Sequence, residues 1–427
     1  MRHLNCVLVA FTALSAALAQ APGRGHVAMP QGQPAAVPPV AVIEATAVIT
    51  GNGQVLHNTR MLITNGRITA IGPMIKVPSD AVVYNLHGYT VLPGLIDVHE
   101  HLTRHFGPNS SADDPRETPL QQALGEANNL WVTLMAGFTT VQSVGEPQDF
   151  TLRTYVREGI IPGPRILTSY QDIYGSPSVG DDDVLRAKVD MLKYEGADLV
   201  KIFASDSIRD GAKPILSLHQ LQIMCGEANR LGMRTLVHAY RGSVHNAIVA
   251  GCTEVEHGTY GTQADLDLMA RKGTYFDPQV GLVIQNYIAH QKQFFGSGDY
   301  DVAGFNRMKE AMTINDKLFQ EAIHTPGLKV VMGTDAVAGA FGHQEEEIIA
   351  RMQLGQSAMD AIDGATSLNA ESLRLGKQIG RLAPGYVGNI IAVDGDPLRD
   401  ASALRRVSFV MKRGTVYKDT VTAGNLP

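Results

Sequence analysis

The sequence lacks the features of a nucleic-acid-binding, membrane-embedded or cysteine-rich protein. Its net charge of −6 gives no electrostatic basis for binding nucleic acid. Beyond the N-terminus, no apolar run is long enough to span a bilayer. Cys225 and Cys252 lack the spacing of a thiolate metal site, and we expect both to be buried free thiols. With 44% hydrophobic and 18% charged residues, the composition is that of an ordinary globular protein.

The N-terminus has the pattern of an export signal. Arg2 and His3 precede an apolar run, and a small-x-small site ends at Ala19. The run is too short for a membrane anchor. We therefore predict a signal peptide at 1–19 and a flexible, Pro- and Gly-rich leader at 20–39, with an exported protein, periplasmic or secreted, that has no membrane contact after cleavage.

Both ends of the remaining chain have the short alternating pattern of β-strands. Asn65-Gly66 separates two such runs and predicts a hairpin. The simplest topology pairs 40–90 with 379–427 in a small β-sandwich-like domain. Residues 91–378 would then form an inserted domain.

Between these ends, buried strands alternate with helical segments. Eight strands are predicted, ending near positions 102, 144, 169, 204, 240, 258, 278 and 336. Such alternation indicates an α/β protein whose parallel strands close into a (β/α)₈ TIM barrel. An open doubly wound sheet is the alternative, but the glycine-rich phosphate turn expected after its first strand is missing.

Polar side chains stand at the carboxyl ends of these strands, where barrel active sites lie. The set consists of His99, His101, Lys201, His238, His257 and Asp335. Imidazoles and a carboxylate converging on one rim are the ligands that a two-metal hydrolytic site requires. The alternative is that each histidine is an ordinary hydrogen-bonded core residue.

Lys201 stands out because apolar residues flank it within its strand. Beside two cations its amine would lose its proton and could react with carbon dioxide. The resulting carbamate offers one oxygen to each metal. The alternative is a lysine paired with Asp198. Asp97, on the same strand face as the histidines, is predicted to support them, whereas Glu100 should point away.

Several segments together resemble the metal-dependent amidohydrolase superfamily: LPGLIDVHEHL, DLVKIFAS, LVHAY, EVEHGTY, GTDA and, in the tail, ATSLNAESLRLG and IGRLAPGYVGNIIAVDGDPL. The lysine strand followed by HAY and EHGTY resembles the branch of Xaa-Pro dipeptidases and ochratoxin-hydrolysing amidases, in particular exported bacterial amidohydrolases that degrade ochratoxin A. The resemblance covers nearly all of the mature sequence.

The resemblance implies specific roles. His99, His101 and Asp335 would hold the more buried of two divalent ions, most simply Zn²⁺, and His238 and His257 the other. Carbamylated Lys201 and a hydroxide would bridge them. Asp335 and Lys201 are thus the expected catalytic residues.

The implied reaction is hydrolysis of a dipeptide-like or N-acyl amino acid amide with a free carboxylate, of the ochratoxin A or Xaa-Pro type. Candidate contacts to this small-molecule substrate are Tyr170, Tyr240, Arg241, Tyr260 and His343, and His105 lies in a loop near the same rim. Alternatives are a cyclic-amide hydrolase, a lactonase, or a non-catalytic exported binding protein on this scaffold. The family also implies a homo-oligomer.

Overall fold

The structure is a computed structural model that describes residues 38–107, 111–112, 116–176 and 179–421. The predicted signal peptide and all but the last two residues of the predicted leader lie outside these ranges. Within them, no helix combines the length and apolarity needed to cross a membrane.

The strands alternate with helices over the central part of the chain. The strands are β1 (Val40–Ile49), β2 (Val55–Thr64), β3 (Arg67–Gly72), β4 (Val82–Pro93), β5 (Leu95–Glu100), β6 (Phe138–Ser143), β7 (Arg165–Thr168), β8 (Asp172–Tyr174), β9 (Leu199–Phe203), β10 (Arg234–Ala239), β11 (Glu254–His257), β12 (Tyr275–Asp277), β13 (Lys329–Val330), β14 (Ile390–Asp394), β15 (Val407–Lys412) and β16 (Thr415–Asp419).

The helices are α1 (Pro119–Met135), α2 (Asp149–Arg157), α3 (Asp182–Glu195), α4 (Leu218–Arg230), α5 (Gly242–Val249), α6 (Gln263–Lys272), α7 (Val283–Ala289), α8 (Gln291–Phe294), α9 (Val302–Ile323), α10 (Glu345–Gln353), α11 (Ala358–Asp363) and α12 (Asn369–Ser372). A π-helical turn, Gly364–Leu368, joins α11 to α12, and a 3₁₀ turn spans Ala401–Arg405. Local sequence sets several helix starts. Thr118 and Ser217 each form a capping box at the start of α1 and α4, where the side chain satisfies a free backbone N–H.

Strands from both ends of the chain form one seven-stranded sheet in the order β16-β15-β14-β4-β1-β2-β3. Antiparallel pairing of β4 with β14 joins the two ends. The hairpin predicted at Asn65-Gly66 is confirmed, because both residues have positive φ and connect β2 to β3. The seven strands belong to a single sheet, whereas the sandwich-like arrangement expected from the sequence would need two.

The central strands form two parallel sheets, β5-β6-β7 and β13-β12-β11-β10-β9-β8. Backbone hydrogen bonds link them at one junction, where His101 N–H donates to Ala336 O (2.9 Å) and Asp335 N–H to His99 O (2.7 Å). At the other junction Asp198 N–H donates to Thr168 O (2.8 Å). The sequence did not predict β8. The last predicted strand, which ends near position 336, is a regular strand only at Lys329–Val330, which form β13. The predicted first strand is divided, since Val91 to Pro93 belong to β4 of the seven-stranded sheet.

The prediction that Cys225 and Cys252 are free thiols is wrong. The two residues form a disulfide with a Cα–Cα separation of 5.1 Å. Cys225 lies on the buried face of α4, and Cys252 follows α5, which packs against α4. The sequence indicated a helix and a helix-to-strand connection for these positions, but not that the two segments lie side by side.

Candidate metal centre

All six predicted donor residues line one cavity of about 440 Å³ at the carboxyl ends of the parallel strands. His99 lies one residue before the end of β5, and His101 follows this strand. Lys201, His238 and His257 lie in β9, β10 and β11, respectively. Asp335 belongs to the segment after β13 that pairs with β5. Parallel strands bring their carboxyl ends to one edge, so residues far apart in sequence meet there.

Three of these residues already form a compact donor group. Ligand atoms of His99, His101 and Asp335 lie within 4.8 Å of one another. Asp335 Oδ1 is 3.1 Å from His101 Nε2 and 3.5 Å from His99 Nε2. Two imidazole nitrogens and a carboxylate oxygen at this spacing are a donor set suited to a divalent cation.

His238 and His257 form a second pair beside the first. Their ring centroids are 4.7 Å apart, and His257 is 5.7 Å from the His99 ring. Buried His238 Nε2 has no hydrogen-bond partner. A buried nitrogen without a partner is costly unless something else binds it, so this atom fits a metal ligand.

The buried histidines are held in the form that binds metals. Burial lowers the pKa of His99, His238 and His257 well below the usual value, and the charge of Lys201 lowers each further. For His257, the neighbouring His238 contributes more than Lys201. Neutral imidazoles keep a lone pair free for a cation.

Lys201 is fully buried between the two histidine pairs. Its Nζ lies 3.0 Å from His99 Nε2 and 5.1 Å from the centre of the Phe203 ring. Burial lowers the pKa of this ammonium, although Glu256 and Asp335 act in the opposite direction. Asp198, the alternative partner considered above, pairs with Arg153 at 2.8 Å instead.

Three neighbouring strands end in strained backbone at this rim. His257 (φ 60°), Gln279 (φ 50°) and Asp335 (φ 52°) are non-glycine residues in the left-handed region. Such conformations cost about 1–3 kcal/mol each and persist only where the surroundings enforce them. Here they turn the side chains of His257 and Asp335 into the cavity.

A buried polar network lies behind His99, and the sequence analysis missed it. His99 Nδ1 is 2.5 Å from Glu256 Oε2, and Gln279 Nε2 donates to Glu256 (2.9 Å) and to Asp277 (2.8 Å). Arg351 continues the network through its bond to Asp277 Oδ1 (3.0 Å). A carboxylate on the far nitrogen of a metal-binding histidine fixes its tautomer and orientation. The available signal was an acidic residue inside an otherwise buried strand, directly before His257.

Asp97 and Glu100 differ as the sequence suggested. Asp97 Oδ1 accepts the backbone N–H of His99 (3.0 Å) and of Thr334 (3.1 Å), so it ties together the two segments that carry His99 and Asp335. Glu100 is buried outside the cavity lining and accepts a hydrogen bond from Gln344 at 3.4 Å.

Of the five candidate substrate contacts, only one lines this cavity. Tyr240 lines the cavity and stacks on His257 with 5.2 Å between ring centroids. Four others do not contribute to this lining: Tyr170, Arg241, Tyr260 and His343. Tyr170 stacks on Phe150, Arg241 on Tyr260, and His343 lines a separate cavity beside the seven-stranded sheet. His105 is also outside the lining, with its Nε2 bound to Glu117 at 2.9 Å.

The cavity wall instead contains residues that were not predicted. Arg209, Tyr287 and Tyr300 line it together with Tyr174, Phe203 and Phe294. Arg209 lies in the irregular segment just after β9. Tyr174 ends β8, Tyr287 lies in α7 and Tyr300 lies in the loop before α9. Loop residues near a catalytic rim are signalled only by proximity in space, which the sequence does not give.

Comparison with known proteins agrees with this architecture. The model of the amidohydrolase family matches residues 90–425. The ochratoxinase of Aspergillus niger is 25% identical over 89% of this chain and 87% of its own length. A crystal structure of a Xaa-Pro dipeptidase with bound methionine in the active site superposes with a TM-score of 0.80, at 26% identity over 89% of this chain and 100% of that one. The crystal structure of A. niger ochratoxinase gives a TM-score of 0.75 at 22% identity, covering 90% and 96%.

Proposed function

The chain belongs to the amidohydrolase family and is a hydrolase of amide bonds, and from this we propose that it is a binuclear enzyme cleaving N-acyl amino acids. The substrates are dipeptide-like amides with a free carboxylate, of the ochratoxin A or Xaa-Pro type. One observation carries the proposal, namely that four histidines, a lysine and an aspartate line a single cavity.

The donor geometry supports a division of the six residues between two cations. His99, His101 and Asp335 would hold one, and His238 and His257 would hold the other. Lys201 would supply a shared ligand as a carbamate, and its burial and its 3.0 Å contact with His99 Nε2 support this role. Imidazole and carboxylate donors favour Zn²⁺. When bound, such ions lower the pKa of water and polarise the scissile carbonyl.

Asp335 moves the proton in this reaction. Its side chain is 16% exposed and faces the cavity, so it can reach a water there. It takes a proton as the water oxygen bonds to the carbonyl carbon. It then delivers the proton to the amine nitrogen as the carbon–nitrogen bond breaks. The products are a carboxylic acid and an amino acid.

The two parallel sheets, of three and six strands, form one closed barrel that contains the eight predicted strands and the additional short strand β8. The barrel lies within residues 91–378, beside a small β domain built from 40–90 and 379–427, whose sheet also includes Val91 to Pro93. The hydrogen bonds from His101 to Ala336 and from Asp198 to Thr168 support closure at the two junctions. A closed barrel explains why donors from five strand ends reach one point.

The enzyme is exported after removal of residues 1–19, to the periplasm or the medium, and works as a homo-oligomer. The Cys225–Cys252 disulfide supports export, because disulfides persist mainly in oxidising compartments. N-terminal sequencing of the mature protein and light scattering after size exclusion test these two points.

The deciding experiment measures metal content and hydrolysis together. Lys201→Ala should reduce bound metal from two ions per chain to one or none and abolish hydrolysis of N-acyl amino acids, because the bridge is lost. Lys193→Ala, an exposed lysine on α3, is the matched control. ¹³C-bicarbonate should give a carbamate NMR signal that the Lys201 variant lacks.

The substrate panel contains N-acyl amino acids, ochratoxin A, Xaa-Pro dipeptides, hydantoins and lactones. Faster hydrolysis of hydantoins or lactones would favour the cyclic-amide hydrolase or lactonase alternatives. Near-wild-type activity of Lys201→Ala with one bound metal or none would refute the binuclear mechanism.

A further inference from the structure

Arg209 presents a partly buried cationic group to the cavity. Its guanidinium lies 4.0 Å from the centre of the Tyr300 ring and 5.6 Å from that of Tyr287. Its Nε is buried without a hydrogen-bond partner. A buried donor of this kind is costly unless a ligand completes it.

The other basic groups of the lining are already engaged, and Asp210 interacts with Arg209 electrostatically without forming an ion pair with it. Arg104 pairs with Glu146 at 2.7 Å, and Lys201 contacts His99. Asp299 accepts a hydrogen bond from Ser207 at 3.4 Å and attracts Arg209 electrostatically, but no carboxylate of the described residues forms an ion pair with Arg209. Arg209 is therefore available for an anion that enters from outside.

The contact with the Tyr300 ring restricts the movement of this guanidinium. A guanidinium that lies over an aromatic ring uses its face for the ring and keeps its N–H edge free. That edge matches a carboxylate, which it binds through two parallel hydrogen bonds. The group is thus oriented before a ligand arrives.

Arg209 and the donor residues share one space. Both line the same cavity, and the charge of Asp335 contributes to raising the pKa of Tyr287 and Tyr300, the two rings beside Arg209, although burial is the main cause. The lining of this cavity is also rich in aromatic side chains, including Tyr174, Phe203, Tyr240 and Phe294. It offers an apolar surface to a ring or other large side chain.

We infer that Arg209 binds the free carboxylate of the substrate, so that the enzyme selects N-acyl amino acids with an aromatic or large apolar side chain. This inference rests on the proposed function, because it assumes that an amide is cleaved at the six donor residues. It assigns the carboxylate to Arg209 instead of Arg241, which stacks on Tyr260 outside the cavity lining.

A matched pair of substrates isolates the carboxylate. N-acetyl-L-phenylalanine and N-acetylphenethylamine have the same amide and ring, but only the first has a carboxylate. Arg209→Met should lower kcat/KM for the acid by about tenfold to a hundredfold. It should lower kcat/KM for N-acetylphenethylamine much less, because that substrate has no carboxylate. Arg209→Lys should restore part of the loss, since it keeps the charge but not the paired hydrogen bonds.

Arg153→Met is the control, because Arg153 also stacks on an aromatic ring, Phe150, at 4.5 Å but lies outside this cavity. Equal losses of Arg209→Met on both substrates, or no loss on either, would overturn the inference. The inference would also be overturned if Arg241→Met, and not Arg209→Met, lost kcat/KM selectively for the acid substrate.

Calorimetric titration with L-phenylalanine separates this inference from the proposed function. Wild-type protein should bind the amino acid, and Arg209→Met should not, whether or not either amide is cleaved. If metal-loaded wild-type protein binds phenylalanine through Arg209 but cleaves neither amide, the proposed function fails alone. Binding that Arg209→Met retains, or no binding by the wild type, overturns the inference.

Discussion

At the scale of the residue, His99 depends on a carboxylate from another strand. Its Nδ1 contacts Glu256 (2.5 Å), so its Nε2 is directed toward Lys201 and Asp335. Gln279, Asp277 and Arg351 extend the contact into the core. The orientation of the His99 ring therefore depends on side chains that lie behind it in the core.

Replacing Glu256 by Gln keeps the size of the side chain but exchanges the carboxyl group that His99 Nδ1 contacts for an amide. We expect metal affinity to fall about tenfold to a hundredfold, because the ring of His99 becomes less basic and less firmly oriented. Competition with a chelator measures the change. Glu100→Gln is the control, since Glu100 is also buried and adjoins His99 in sequence but binds Gln344. Unchanged affinity of Glu256→Gln would show that the contact does not tune the site.

At the scale of the element, Asn369 joins β5 to the segment after β13. Its Nδ2 donates to Ile96 O (2.7 Å) and Met332 O (2.6 Å), and its Oδ1 accepts Met332 N–H (2.8 Å). Asn369 begins α12, directly after the π-helical turn Gly364–Leu368. One buried amide thus holds two segments that carry donor residues.

Asn369→Leu should destabilise the protein by about 2–4 kcal/mol. The apolar side chain removes three hydrogen bonds. Met332 O keeps the Val98 N–H as a partner (3.3 Å), but Ile96 O and Met332 N–H lose the amide, and a buried backbone group left unpaired costs about 1–3 kcal/mol before relaxation. Urea unfolding followed by circular dichroism measures the loss. Asn229→Leu is the control, because exposed Asn229 makes a single bond, to Gly251 O. Equal effects of the two substitutions would contradict a special role for Asn369.

The disulfide between Cys225 and Cys252 closes a loop with a sequence separation of 27. Replacing both cysteines by alanine should lower the free energy of unfolding by about 3–4 kcal/mol on the chain-entropy model, because the unfolded chain gains freedom. Thermal unfolding with and without reductant measures the same loss in the wild type. A reduced wild type as stable as the oxidised one would contradict it.

These elements show what the sequence can predict. Alternating buried strands and helices were predictable because apolar periodicity is local. The convergence of the six candidate donor residues on one cavity followed from their positions at strand ends. β8, with three residues, is too short for a periodic signal. Three features could not be predicted: the hydrogen bonds of Asn369 to the irregular segment after β13, the contact of His99 with Glu256, and the disulfide. They join residues that are 37, 157 and 27 positions apart, so only the folded chain brings them together.

At the scale of the whole molecule, Lys412 connects the seven-stranded sheet to the α/β part. It lies in β15, and its Nζ donates to Gly163 O in the loop before β7. Burial, with a smaller effect of Arg413, lowers the pKa of Lys412 to about 8. A charged group is therefore held at the contact between the two parts at neutral pH.

Stability should consequently rise in mildly alkaline solution. In the unfolded chain Lys412 recovers a pKa of about 10.4. Between pH 8 and 10.4, roughly, the unfolded chain binds more protons than the folded one, so the free energy of unfolding increases with pH, by up to about 3 kcal/mol. Below this window both states are protonated and Lys412 adds no slope.

Lys412→Met should remove this part of the rise. Denaturant unfolding of the wild type and the variant at pH 8, 9 and 10 measures it, and the other titrating groups, including Tyr417, are common to both proteins. Parallel pH dependences of the two proteins would mean that Lys412 keeps its ordinary pKa when buried.

The left-handed residues at the ends of β11, β12 and the segment after β13 have a consequence for engineering this enzyme. Glycine at His257, Gln279 or Asp335 would relieve backbone strain and is the change that a thermostability screen would favour. At His257 and Asp335 the same change deletes a donor side chain from the cavity. Heat resistance and turnover therefore compete at this rim. A more thermostable variant should therefore be sought through substitutions at the opposite, amino-terminal ends of the strands.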